Sequence, residues 1–167
     1  MNESKNLFEF QLRMYANLYF MIGVLETRLR KRILITLSDF SRSKNYAEWI
    51  DLVPTTFGNI RSIKKALKKN RNQLVGIEEH LSFSFWRHLF DGRNYTVLWI
   101  PCLHKVFPNL DNPLTLRSYA QIGNNLAKAN RIRNRVAHFN FRQAGDYERE
   151  KEVLIWLIVR LGKADLS

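Results

Sequence analysis

From about Lys5 to Ser38 the chain is long, strongly apolar and helical in period, with Ile22, Glu26, Leu29 and Ile33 following the i, i+4, i+7, i+11 pattern of one helix face. The rest of the chain offers matching elements. A turn-rich stretch from Asp39 to Phe57, with Pro54 and the polar run Ser41 to Asn45, leads into a basic helix from about Asn59 to Lys69. Two aromatic helices follow, near Ile77 to Phe90 and Thr96 to Val106, separated by the turn Asp91-Gly92-Arg93-Asn94, with Phe107-Pro108-Asn109 ending the second. A further helix begins around Asn112-Pro113, a cap followed by proline in the first turn, and continues to about His138. A loop with Gly145 precedes the last helix, Tyr147 to Leu161. No hairpin, alternating strand, internal repeat or Gly/Ser-rich linker intervenes, so the reading is one all-α bundle over residues 1–167.

With 46% hydrophobic and 25% charged residues, this is the composition of an ordinary globule with a sizeable core. The longest apolar run, Leu18 to Leu25 with Gly23 inside it, is far short of the ~20 residues a membrane span needs. Met1-Asn2-Glu3-Ser4-Lys5 lacks a signal-peptide pattern, and the single Cys102 can form neither an internal disulfide nor a cysteine zinc site. The expectation is a cytoplasmic protein, without membrane attachment, in which Cys102 fills the core.

A net charge of +12 makes a polyanion the natural partner, because each phosphate neutralised releases counterions. The charge is clustered in three groups. Arg28, Arg30, Lys31 and Arg32 form one; Arg61, Lys64, Lys65, Lys68, Lys69 and Arg71 form a second; Lys128, Arg131, Arg133, Arg135 and Arg142 form the third. A solubilising surface usually mixes signs, which these groups do not. Of them, Lys64, Lys65, Lys68 and Lys69, with Lys128, Arg131, Arg135 and Arg142, are expected to contact RNA.

The third group surrounds the sequence Arg131-Ile132-Arg133-Asn134-Arg135-Val136-Ala137-His138. Arginine, asparagine and histidine near one another supply a cation for a crowded phosphate, a neutral hydrogen-bond partner and a proton carrier at neutral pH. At ~100° per residue, Asn134 and His138 lie about 40° apart on one helix face, with Asn130 a turn earlier. Arg133 lies elsewhere, continuing the stripe Tyr119, Ile122, Leu126, Ala129 that should face the core. A core-facing arginine demands an acid, and Glu26, in the middle of the apolar face of the first helix, is the expected partner.

Arg133, Asn134 and His138, preceded by Leu81-Ser82-Phe83-Ser84-Phe85-Trp86-Arg87-His88-Leu89-Phe90 and Leu98-Trp99-Ile100-Pro101-Cys102-Leu103-His104-Lys105-Val106-Phe107-Pro108, resemble the HEPN superfamily of helical nucleotide-binding and RNase domains. Within it, the chain resembles the Abi-like (abortive infection) bacterial proteins, and the resemblance spans roughly residues 7 to 160. It implies a HEPN-like bundle and a metal-independent endoribonuclease in which Arg133 and His138 are catalytic and Asn134 orients the histidine or holds a phosphate oxygen. It further implies a homodimer whose two motifs share one cleft, no cofactor, and a toxin role in phage defence or opposite a protein or RNA antitoxin. Where many relatives carry an acid or proline after the histidine, this chain has Phe139-Asn140-Phe141.

The remaining histidines, His80, His88 and His104, lack the spacing of a metal-ligand set, although His80 and His88 could share a face. Phe83, Phe85, Trp86, Phe90 and Trp99 could stack bases, yet aromatics this dense at helical spacing belong to the core. Two other functions fit the same residues: RNA or nucleotide binding without cleavage, and an interaction module whose basic faces meet an acidic protein.

Overall fold

The computed structural model describes residues 2–138 and 146–162, and among these it contains α-helices with short 3-10 and π turns and no strand. The helices are α1 (Asn2–Ser43), α2 (Phe57–Lys69), α3 (Phe83–His88), α4 (Leu103–Val106), α5 (Leu116–Ala137) and α6 (Tyr147–Leu161).

Helix α1 is the spine. Tyr15, Leu18, Ile22, Leu25, Leu29, Ile33 and Leu37, spaced three or four apart, are all buried to 6% exposure or less. Against this stripe lie Leu154, Leu157 and Leu161 of α6 and Tyr119, Ile122, Leu126, Ala129, Ile132 and Val136 of α5. Each large apolar side chain so enclosed stabilises the fold by roughly 1.5–3 kcal/mol relative to exposure. Asn17 Nδ2 donates to Tyr147 Oη and Arg28 donates to the Gly162 carbonyl, so α6 runs parallel to α1. The Arg135 guanidinium lies 5.5 Å from the Tyr15 ring, which brings the end of α5 beside the first half of α1 and makes those two antiparallel.

Side-chain caps fix the boundaries. Asp146 accepts from the Arg149 amide at the start of α6, and Thr115 accepts from the Ser118 amide at the start of α5. The expected start of α5 at Asn112-Pro113 is therefore displaced: Asn112 has φ +49°, a left-handed conformation that belongs to a turn, and capping passes to Thr115. Helix α1 runs five residues beyond Ser38 and ends at a turn with Asn45 at φ +59°.

The two aromatic helices are broken into shorter pieces. Ser82 caps a new helix at Phe83, so Ile77–His80 is a separate 3-10 turn. His80 and His88 consequently share no helix face. In the second aromatic segment Tyr95–Trp99 forms a π turn, and Pro101, lacking an N–H, interrupts the path to α4. The Cys102 thiol donates to the Leu98 carbonyl at 3.1 Å. Phe83, Phe85, Trp86, Phe90 and Trp99 are all at most 3% exposed, and Phe90 stacks on Trp99 with centroids 4.4 Å apart. They are core residues and present no face to a base.

Candidate functional site

The second half of α5 carries the Arg-Asn-His motif and lies beside both the first half of α1 and the start of α6, Arg135 touching Tyr15 of the one and Glu150 of the other. Asn134 and His138 are exposed, Arg133 and Asn130 half-buried. Arg133 donates to Asn134 Oδ1 at 3.4 Å, a long bond that joins neighbours in sequence. His138 is the residue on which the helix ends, its amide reaching the Asn134 carbonyl at 3.3 Å.

Arg133 is not the buried arginine of this helix. Spacing alone lets the core stripe pass from Ala129 to either position 132 or position 133, and Ile132 takes the inward place at 5% exposure. An isoleucine gains free energy there, whereas a guanidinium would lose its hydration. Glu26 is half-buried and, among the described residues, forms no ion pair with Arg133. The expected Glu26–Arg133 pair is thus not formed. The enclosed ion pair joins Arg135 to Glu150 of α6, with side chains only 9% and 17% exposed, and Tyr15 covers the guanidinium. Arg135 is thus engaged by Glu150, and the pair lines the cleft between α5 and α6. The sequence signal for this pair was the acidic start of α6, where Glu148 and Glu150 follow the cap.

The motif is divided around the helix. Five residues at ~100° place Arg133 and His138 about 140° apart, while Arg131, seven residues before His138, lies within about 20° of it and ~10.5 Å away along the axis. Arg131 and Lys128 are exposed and line a cleft of about 650 Å³ between α5 and α6, together with Arg149, Glu150 and Glu152. Lys64, Lys65, Lys68 and Lys69 project into solvent from α2. Arg142, with Phe139-Asn140-Phe141, lies outside the described residues.

Each of α1 and α5 has an outward flank. On α5 it carries Asn130, Arg133 and Asn134. On α1 it carries Leu12, Tyr19 and Phe20, exposed by 42%, 65% and 71%, beside Ala16, Gly23 and Thr27. No charged residue occurs from Met14 to Leu25. A shallow groove of about 510 Å³ runs along α1 between Ala16 and Arg28.

Among the described residues no helix is long and apolar enough to cross a membrane, and no three His, Cys, Asp or Glu side chains converge as a metal-ligand set. Comparison with protein-family models, curated proteins and solved structures finds no match to this chain.

Proposed function

We propose that the protein is a metal-independent endoribonuclease of HEPN type, cytoplasmic, acting as a toxin in phage defence or opposite an antitoxin. His138 takes the proton from a ribose 2′-hydroxyl or gives one to the leaving 5′-oxygen, Arg133 holds the charge that grows on the phosphorane, and Asn134 orients His138 or holds a phosphate oxygen. The observation that carries this reading is the grouping of an exposed histidine and asparagine with Arg133 and Arg131 at one end of α5, on a chain of net charge +12.

One chain does not complete the chemistry. A single histidine serves poorly as both base and acid, and Arg133 points about 140° from His138. The reading therefore includes a homodimer that brings two motifs together. The outward flank of α1 supports it, since Tyr19 and Phe20 lie bare in a stretch without charge, where two chains of +12 can approach with least repulsion.

RNA binding without cleavage is the second reading, and the divergence of Arg133 from His138 within one chain favours it. Incubation of the purified protein with mixed RNA in EDTA separates the two. The nuclease reading requires fragments that disappear in Arg133→Ala and His138→Ala while binding persists. Intact RNA with undiminished binding selects the second reading.

A further inference from the structure

A second polar cavity, of about 530 Å³, lies between the start of α2 and the α3 segment. Its rim and walls include Arg61, Ser62, Ser84, His88, Asp91 and Arg93, with the buried ring of Phe85 at its base. The volume is within the range of roughly 300–1,000 Å³ usual for small-molecule sites. Tyr119, near the beginning of α5, donates to the Asp91 carbonyl, whereas His138 lies nineteen residues further along that helix. At 1.5 Å per residue this is ~28 Å, so the cavity is separate from the motif.

The charges in the cavity are not balanced among themselves. Asp91 is its acid, and it is already engaged by His88 Nδ1 at 3.0 Å and by Arg87 at 3.5 Å. Arg61 and Arg93 have no acidic partner among the described residues and are exposed along the rim. Two guanidinium forks on the rim, with Ser62 and Ser84 in the same lining, suit an anion with several acceptor oxygens. Phosphate fits this donor set better than a carboxylate, because it can occupy both forks and still accept from a hydroxyl. The volume beyond the phosphate leaves room for an organic body.

We infer that this cavity binds a phosphomonoester on a small organic group, with Arg61 and Arg93 holding the phosphate and Ser62 and Ser84 completing its hydrogen bonds. The phosphomonoester can come from a free mononucleotide or from the 5′-phosphate end of an RNA strand, and both present the same group. Its binding is independent of RNA cleavage at the motif.

The experiment is calorimetric titration of the intact protein with AMP, adenosine, and a short RNA oligomer carrying either a 5′-phosphate or a 5′-hydroxyl. AMP should bind at one site per chain and adenosine at least tenfold more weakly. The double variant Arg61→Ala, Arg93→Ala should lose at least tenfold in affinity for AMP, whereas Lys44→Ala, Lys105→Ala, at exposed lysines outside the cavity, should not. A 5′-phosphate preference of the oligomer that vanishes in the arginine variant identifies the strand end as a source; AMP binding without that preference identifies the free nucleotide. Equal binding of adenosine and AMP, full affinity in the arginine variant, or no AMP binding at millimolar concentration would overturn the proposal.

Discussion

Replacing Glu150 by glutamine removes the counter-charge of Arg135 while keeping the size and one acceptor oxygen of the side chain. The two partners are 9% and 17% exposed, and the guanidinium also lies over Tyr15, so little water is at hand to replace the lost carboxylate. Breaking an enclosed pair from one side costs about 3–5 kcal/mol when no acceptor remains. The retained amide oxygen and the residual exposure reduce this to about 2–3 kcal/mol, or roughly 4–12 °C in Tm at 2–4 °C per kcal/mol for a chain of this size. Urea denaturation followed by circular dichroism measures it directly. The double variant Arg135→Met, Glu150→Leu should recover most of the loss, because an apolar pair of similar volume carries no desolvation penalty. A Glu150→Gln protein within about 0.5 kcal/mol of the parent, the scatter of ordinary surface changes, would refute the view that this pair locks α6 to the motif helix.

Glu26→Gln should change stability by less than about 1 kcal/mol in the same assay, since Glu26 has no ion pair to lose among the described residues. Cys102 should resist alkylation at pH 8 until the protein unfolds, because burial pushes its thiol up to about 11 against the opposing charge of Lys105. As this acid's pKa is raised from 9.0, its contribution to stability is complete below pH 9 and is lost as pH rises towards about 11, which denaturation midpoints between pH 8 and 11 would reveal. Phe20→Glu, at a side chain 71% exposed, should leave the fold intact and shift sedimentation at micromolar concentration from dimer to monomer; a parent protein that is already monomeric would remove the shared-cleft part of the account.

The elements most legible in the sequence are those whose caps and apolar period agree. Helix α6 occupies Tyr147–Leu161 as read, between the Asp146 cap and Gly162, and the stripe through Ile22, Leu29 and Ile33 does face the core. The aromatic segments were less legible because period cannot reveal that Ser82 caps a fresh helix or that Pro101 stops one. At the candidate site, Ile132 and Arg133 both fit the spacing of an inward residue, and only the desolvation cost of a guanidinium decides between them. The Arg135–Glu150 pair bridges two helices across residues 139–145, so its partners come together in the fold and not in any local pattern. The cavity beside Arg61 and Arg93 was likewise hidden, since it depends on how α2 meets α3.

The most direct test of the central claim is the chemistry of the cut ends in EDTA. Attack by the neighbouring 2′-hydroxyl leaves a 2′,3′-cyclic phosphate and a 5′-hydroxyl, and mass spectrometry of the fragments distinguishes these from the products of water attack. The account predicts cyclic-phosphate ends from the parent protein, none from His138→Ala, and no cleavage when the sugar at the cut position is 2′-deoxyribose. Cleavage that requires added magnesium, or that proceeds at the deoxy position, would contradict it.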